Sequence, residues 1–176
     1  MPCLMFARTD VAGAYRWNAQ TSAWKQVVTS NSMPAAYVIP GTYRGVDSIV
    51  GAPSNANIAY MAYQGQIFKS SDRGESWIAT TFNSKNVRMG PNSEARQEGE
   101  RLQVDPNNSS VVYFGAMDGS PWMTADAGAT WIQVNGIPAG VGDHGVNTVK
   151  FDPASGTTNG KTNVIFVTCN RSGVWK

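Results

Sequence analysis

The chemistry that this sequence could carry lies in aspartates of short, loop-forming segments. Residues 70–77 read SSDRGESW and residues 124–131 read TADAGATW, so one Asp-x-Gly-x-(Ser/Thr)-Trp pattern occurs twice. A carboxylate in a cleft acts as a general acid or base, whereas a carboxylate in a tight turn accepts backbone N–H hydrogen bonds. Because a repeated turn places its two copies on separate structural units, we interpret both as structural. The residues concerned are Asp72, Gly74, Trp77, Asp126, Gly128 and Trp131.

A different acidic segment stands near the start of the chain. Residues 6–18 read FARTDVAGAYRWN, whereas the corresponding turns of the later units are the plain YQGQ and MDGS. In an antiparallel sheet this turn and the duplicated turns fall at opposite ends, so Asp10 is expected on the other rim. Asp10 is open to two interpretations, a catalytic carboxylate or a turn-capping aspartate. Arg8 could hold Asp10 ionised by proximity, or form an ordinary surface ion pair.

An internal repeat of about 54 residues predicts the elements that position these aspartates. The aromatic residues Tyr15, Phe68, Trp122 and Trp175 recur at that period, and apolar runs alternate with Asn, Gly, Pro and Asp clusters. Each unit reads as four antiparallel strands, placed in the second unit at about 46–52, 58–63, 66–70 and 76–80. The predicted fold is an all-β partial β-propeller of three to four blades. The tryptophans at repeat positions are expected in the core: Trp24, Trp77, Trp122, Trp131 and Trp175.

The predicted domain organisation is one incomplete propeller over 1–176. Its blades are expected at 1–30 (partial), 45–82, 99–136 and 145–176 (partial). Blades at either end would expose strand edges that a further blade should cover. We therefore expect either a fragment that needs further blades or a chain that associates with copies of itself.

Composition excludes several function classes. The net charge of +2 comes without a Lys/Arg cluster, so nucleic acid is not an expected partner. No apolar run has the ~18 residues of a membrane span, and no signal peptide is recognisable in this chain. Cys3 and Cys169 could pair or stay free. We expect no metal and no cofactor; His144 beside Asp143 is interpreted as a loop residue, with a metal ligand as the alternative.

Other side chains are candidates for binding a ligand. Aromatic faces stack on sugar rings, which makes Trp17 and Tyr43 candidate substrate-binding residues together with Arg44. The long link that contains EARQEGERL is expected to open on the same rim as Asp10. Its acidic residues could line a groove, or be solvated or paired with neighbouring arginines. They are Glu94, Glu98 and Glu100, with Arg96 and Arg101 as the candidate partners.

The segment RTDVAGAYRW resembles the Arg-Thr-Asp-(Val/Ile)-Gly-Gly-Ala-Tyr-Arg-Trp motif of glycoside hydrolase family 74, the xyloglucan-degrading enzymes. The similarity continues through GVDSI, SSDRGESW, GERLQVDPNNSSVVYFGA, TADAGATW and GVNTVKFDP, in order along nearly the whole chain. Ala12 departs from the family pattern, where a glycine stands, and this change would narrow the backbone conformations open to the turn. The duplicated turns resemble the Asp boxes (BNR repeats) of sialidases and other propellers.

The resemblance implies an extracellular enzyme with two propellers and a substrate groove between them, cleaving β-1,4-glucan chains such as xyloglucan with inversion. It implies that Asp10 is the general base and that the acid partner lies on the second propeller. Inversion needs two carboxyl groups roughly 6.5–9.5 Å apart, so we expect this chain alone to be inactive. A non-catalytic Asp-box propeller that binds carbohydrate or protein is the alternative. A sialidase is a weaker one, because no arginine cluster can be placed.

Overall fold

The computed structural model of the chain describes residues 4–38, 44–82, 99–117, 119–138 and 144–176. The described residues form short β-strands, with 3-10 turns at Ala35–Tyr37 and Pro153–Ser155. The strands are β1 Phe6–Arg8, β2 Ala12–Asn18, β3 Ala23–Gln26, β4 Arg44–Gly45, β5 Ser48–Gly51, β6 Ala59–Tyr63, β7 Gln66–Ser70, β8 Ile78–Ala79, β9 Leu102–Asp105, β10 Asn108–Phe114, β11 Trp122–Thr124, β12 Ile132–Gln133, β13 Val146–Phe151, β14 Thr157–Thr158, β15 Lys161–Thr162, β16 Ile165–Cys169 and β17 Gly173–Trp175.

The strands form a series of antiparallel sheets in which consecutive strands of the chain pair, except that β13 pairs with β16. Their orders are β1-β2-β3, β5-β6-β7-β8, β9-β10-β11-β12 and β13-β16-β17, and we number these sheets blades 1 to 4. In blade 2, β5 to β8 lie within the predicted strand positions. The prediction of an all-β, partial propeller built from antiparallel blades is confirmed. Strand β4 is different, because it pairs in parallel with β2 of blade 1.

Blade 2 is covered on both faces by its neighbours, and the alternation of side chains along a strand explains how. Met61 of β6 packs in the cluster shared with blade 1, whereas Tyr60 and Ala62 pack in the cluster shared with blade 3. Successive side chains of a strand point to opposite faces, so both faces of β6 are covered and its five residues are all buried. A further cluster, formed by Val146, Val149, Val167 and Cys169 with Tyr113, joins blades 3 and 4.

The prediction that all repeat-position tryptophans belong to the core is wrong for Trp24 and Trp175, which are 46% and 37% exposed. In blades 2 and 3 the tryptophan after the duplicated turn packs back on the preceding blade, and Trp77 is 3% exposed. No sheet precedes blade 1 among residues 4–38, so Trp24 has no such surface to cover it. Trp175 lies on β17, the outermost strand of its described sheet.

A hairpin that the sequence analysis did not predict joins blades 3 and 4. Strands β14 and β15 pair across Asn159 and Gly160, both at positive φ. The buried carboxylate of Asp105 accepts hydrogen bonds from the backbone N–H of Thr162 (2.8 Å) and from its hydroxyl (2.6 Å). The hairpin is thus bonded to β9 of blade 3.

Candidate functional site

Asp10 lies at the tip of the turn between β1 and β2, and Thr9 closes that turn. The Thr9 hydroxyl donates to the carbonyl of Gly13 (2.8 Å) and accepts the N–H of Ala12 (2.8 Å), while the Thr9 N–H donates to the same carbonyl (2.9 Å). Asp10 is partly buried and the neighbouring Val11 is exposed. Thr9 therefore makes the hydrogen bonds that close the turn, and the Asp10 carboxylate takes no part in them.

The backbone of this turn explains why Ala12 is tolerated. The residue with positive φ is Gly13, at +81°, and Ala12 is not among the described residues in that region. A Cβ on Gly13 would also stand 3.3 Å from Cβ of Val28. The strict requirement for glycine thus falls on position 13, so the Ala12 departure does not restrict the turn in the way we expected.

The chain that enters blade 2 runs beside the Asp10 turn. Strand β4 pairs in parallel with β2, with Arg44 opposite Ala12 and Gly45 opposite Gly13. The Val46 N–H donates to the Thr9 carbonyl at 3.0 Å. The backbone of Arg44 is thereby brought next to the Asp10 turn. Tyr43, the aromatic candidate that precedes it, lies outside the described residues.

Charged residues from three blades meet near the same end of the sheets. Glu100 accepts the Arg8 Nε–H at 3.3 Å and the Ser48 hydroxyl at 2.5 Å. Arg101 pairs with Asp47 at 3.5 Å, and both side chains are almost fully buried. The predicted pairing of Glu100 with a neighbouring arginine in sequence is therefore replaced by a pairing across blades. We call the edge that carries Asp10, Arg44 and Glu100 the Asp10 rim.

The duplicated turns share one hydrogen-bonding arrangement. Asp72 accepts the backbone N–H of Ser76 (2.9 Å), the Ser76 hydroxyl (2.5 Å) and the Ser70 hydroxyl (2.7 Å). Asp126 accepts the equivalent three bonds from Thr130 (2.8 and 2.6 Å) and Thr124 (2.7 Å). The two aspartates are thus engaged by their own turns, which supports a structural role.

The same bonds change the acidity of both carboxyl groups. Burial alone would raise the pKa of Asp72, but the hydrogen bonds from Ser76 and Ser70 outweigh it and leave the pKa below its ordinary value. The hydroxyl and N–H of Thr130, with the Thr124 hydroxyl, lower the pKa of Asp126 to about 2. Both groups are therefore ionised at neutral pH and are poor proton donors.

The duplicated turns also bind adjacent blades together. The Trp77 indole N–H donates to the carbonyl of Val27 in blade 1 (2.9 Å), and the Trp131 indole N–H donates to the Thr80 hydroxyl in blade 2 (3.3 Å). Gly74 and Gly128 have positive φ. A Cβ on Gly128 would stand 2.5 Å from Cγ2 of Thr80, so the close approach of blades 2 and 3 requires a glycine there.

The two kinds of turn lie at opposite ends of β2. At its start, the strand is bonded to the chain beside Asp10; near its end, Arg16 donates to the Arg73 carbonyl (2.6 Å) and to Glu75 (2.7 Å) of the Asp72 turn. From Ala12 to Asn18 the strand spans roughly 20 Å, at ~3.3 Å per residue. We call the edge that carries the Asp72 and Asp126 turns the duplicated-turn rim.

Known proteins resemble this chain in amino-acid sequence. No protein-family model matches the chain. It is 33% identical to a xyloglucanase of a Paenibacillus species, over 93% of this chain and 17% of that protein. Identity is 34% to xyloglucanases of Acetivibrio thermocellus and Hypocrea jecorina, each covered to 21%. The chain thus spans about a fifth of the length of the curated relatives that it matches.

Solved structures of similar proteins superpose on this chain. The chain superposes on a GH74 enzyme of Niastella koreensis with a TM-score of 0.79 and 30% identity, over 94% of this chain and 24% of that one. For the GH74 xyloglucanase of Xanthomonas campestris the TM-score is 0.81 and the identity 28%, over 99% and 27%. The chain matches a segment of glycoside hydrolase family 74 enzymes. The resemblance drawn from the sequence is confirmed.

Trp17 of this GH74-like segment does not lie near Asp10. It stands at the far end of β2, where it lines a cleft beside the Asp72 turn together with Arg73 and Glu75. Of the residues proposed from sequence to bind substrate, the structure therefore brings the Arg44 backbone to Asp10 and leaves Trp17 on the duplicated-turn rim. Sequence reasoning did not separate them, because both belong to one continuous motif.

The remaining residues singled out from the sequence lie apart from Asp10 or outside the described residues. His144 is partly buried just before β13, and Asp143, Glu94 and Glu98 lie outside the described residues. In the described ranges no group of three or more His, Cys, Asp or Glu side chains could hold a metal ion. Cys169 is a free, buried thiol whose pKa burial raises, and Cys3 is outside the described ranges. No helix within the described part of the chain is long and apolar enough to cross a bilayer.

Proposed function

We propose that this chain is part of a glycoside hydrolase that cleaves xyloglucan or a related β-1,4-glucan with inversion, and that Asp10 is its general base. The observation that carries the proposal is the contrast between the aspartates. Asp72 and Asp126 are engaged by their own turns, whereas the Asp10 turn is closed by Thr9 and sits on the opposite rim. A carboxylate that the backbone does not require is available for chemistry.

The proposed step uses chemistry that a carboxylate performs well. An ionised Asp10 accepts a proton from a water molecule, and the resulting hydroxide equivalent attacks the anomeric carbon from the face opposite the leaving oxygen. A second carboxyl group, roughly 6.5–9.5 Å away and protonated, gives its proton to that oxygen. The chain matches about a fifth of the length of the xyloglucanases, and we propose that the acid belongs to another part of such an enzyme. The 176-residue chain alone then hydrolyses no xyloglucan.

The neighbours of Asp10 have proposed roles in holding the sugar. Arg44 would donate to sugar hydroxyls from the strand beside the turn, and Tyr43 would stack on a sugar ring. Glu100 fixes the Arg8 guanidinium near the end of β1 by their hydrogen bond at 3.3 Å. We propose an extracellular location, consistent with a polymeric substrate that cannot enter a cell.

A segment-swap chimera tests this function. In the Paenibacillus xyloglucanase, which is 33% identical over 93% of this chain, the matching segment is replaced by residues 1–176. We expect the chimera to hydrolyse xyloglucan, releasing a product whose anomeric configuration is inverted when read by proton NMR. Asp10→Asn should lower the rate at least about 100-fold, since general-base catalysis contributes about 10²–10⁴. A folded Asp10→Asn chimera that keeps its rate would overturn the assignment.

A non-catalytic carbohydrate-binding module is the second candidate. The observation that favours it is the cleft lined by Trp17 on the duplicated-turn rim, which lies away from Asp10. For a module of this kind, the isolated chain would bind glycan with an affinity that Asp10→Asn leaves unchanged. The chimera would then show no dependence of hydrolysis on Asp10.

A further inference from the structure

A cleft of about 580 Å³ opens on the duplicated-turn rim between blades 1 and 2. One wall is the end of β2 with the residues that follow it, Trp17, Asn18 and Gln20. The other wall is the Asp72 turn, with Arg73 and Glu75. Its volume falls in the range of about 300–1,000 Å³ that is typical of small-molecule sites.

Trp17 gives the cleft a fixed aromatic surface. The Trp17 and Trp24 rings meet edge to face, with centroids 5.4 Å apart and planes at 63°. The Trp17 backbone N–H donates to the Met5 carbonyl at 2.9 Å. A tryptophan held in this way presents apolar area at little cost in conformational entropy. Such a surface fits the C–H face of a sugar ring.

The cleft lining carries two cations, Arg16 and Arg73, and two carboxylates, Asp72 and Glu75, so its formal charges cancel. Glu75 binds Arg16 with one carboxylate oxygen and Lys25 with the other. The hydrogen bonds from Lys25 and Arg16 lower the pKa of Glu75, and Asp72 is engaged by its own turn. Cations that already face a carboxylate offer little to an anionic ligand. This electrostatic arrangement favours a neutral ligand.

The polar side chains at the mouth of the cleft suit hydroxyl groups. Asn18 and Gln20 carry amides, each with donors and an acceptor, and both line the cleft. The Asn18 Oδ1 accepts the Gln20 N–H at 3.0 Å, which fixes the turn that carries the two residues. An aromatic platform flanked by amides and a carboxylate is a set of groups that a polyhydroxylated chain can satisfy.

We propose that this cleft is a second binding site for a neutral β-glucan chain, separate from the Asp10 rim and roughly 20 Å from it along β2. The choice of ligand class rests on the proposed function. The site would hold the polymer on the side of the blades away from the reaction. Glycan binding at this site requires Trp17 and does not require Asp10.

Amide and indole NMR of the ¹⁵N-labelled 176-residue chain tests the proposal, with cellotetraose and a xyloglucan heptasaccharide as the probes. We expect shifts of the Trp17 indole N–H and of the amides of Asn18, Gln20 and Arg73. Shifts confined to residues 8–13 and 44–46 would overturn the second site while supporting the proposed function. Shifts at the cleft alone would support the second site and count against sugar binding at the Asp10 rim. An absence of shifts at millimolar sugar would overturn the second site.

Matched variants separate binding from folding. Trp17→Ala should weaken binding of the heptasaccharide at least tenfold, whereas Trp175→Ala, at an exposed tryptophan that does not line the cleft, should leave the affinity unchanged. Gln20→Ala should weaken binding about threefold without moving the urea midpoint of unfolding. An oligogalacturonate of equal length should bind at least tenfold more weakly, because it is anionic. Equal affinity of the wild-type and Trp17→Ala chains would overturn the proposal.

Discussion

Replacing Trp77 by alanine removes an indole that is 3% exposed and packs between blades 1 and 2. The substitution leaves a cavity and removes the 2.9 Å indole hydrogen bond to the Val27 carbonyl, which keeps a second one from the Ser32 hydroxyl. Truncation of a buried tryptophan costs about 3–5 kcal/mol. For a chain of this length each kcal/mol lowers Tm by about 2–4 °C, so the expected decrease is roughly 6–20 °C.

Trp24 provides the matched control for this prediction. It occupies the equivalent position of the first repeat, but 46% of its surface is exposed. We expect Trp24→Ala to change the free energy of unfolding by about 1 kcal/mol or less, in line with substitutions at the protein surface. Urea denaturation followed by far-UV circular dichroism measures both variants, since this signal does not depend on tryptophan fluorescence.

A milder variant keeps the test usable if Trp77→Ala does not fold. Trp77→Phe retains most of the apolar contact and removes the indole N–H, which should cost about 0.5–1.5 kcal/mol, because the Val27 carbonyl keeps its hydrogen bond from the Ser32 hydroxyl at 2.9 Å. Equal destabilisation by the Trp77 and Trp24 substitutions would refute the reasoning. It would mean that the tryptophan after the duplicated turn does not hold adjacent blades together.

Three other perturbations test individual side chains. Asp105→Ala should destabilise the fold by about 2 kcal/mol or more, because the buried Thr162 groups lose their acceptor; urea unfolding measures this. The pKa of Asp126 is about 2 in the folded chain and near 4 in the unfolded chain, so its ionised carboxylate stabilises the fold above about pH 4. This contribution should disappear as the pH falls towards 2, and acid titration of the wild type against Asp126→Asn measures it. Burial and the nearby Asp126 charge raise the pKa of Tyr60 to about 12, so its stabilising contribution should persist below pH 10 and vanish towards pH 12; comparison with Tyr60→Phe tests this.

The repeat predicted the blades because the same local pattern recurs several times along this sequence. Strands of Val, Ile, Tyr and Phe, separated by turn residues, determine the antiparallel sheets without knowledge of distant contacts. The hairpin at 157–162 carried a local signal as well, since Asn159-Gly160 is typical of a tight hairpin turn. The repeat does not predict this hairpin, because the hairpin is inserted between two strands of the repeating unit.

Burial of the tryptophans could not be predicted from the repeat alone. Trp24 and Trp77 occupy equivalent positions, yet their exposures are 46% and 3%. What separates them is the surface on which each ring packs, and that surface belongs to a different blade. A repeat gives the position of a side chain within its unit but carries no information about whether a neighbouring unit covers it.

The candidate site was predicted only in part for the same reason. The sequence distinguishes the Asp10 segment from the duplicated turns, and strand alternation places them on opposite rims. The pairing of Arg8 with Glu100 joins residues 92 positions apart, so no local pattern could reveal it. Trp17 shares a motif with Asp10, but a seven-residue strand carries it to the other rim.

The most direct test compares three aspartates in the xyloglucanase chimera. Asp10→Asn, Asp72→Asn and Asp126→Asn are each assayed for xyloglucan hydrolysis at a temperature where all three proteins are folded. We expect Asp10→Asn to lose at least about 1,000-fold in rate, while the other two keep kcat within about threefold and unfold at lower temperature. Loss of turnover in a folded Asp72→Asn or Asp126→Asn protein, with Asp10→Asn still active, would contradict the account.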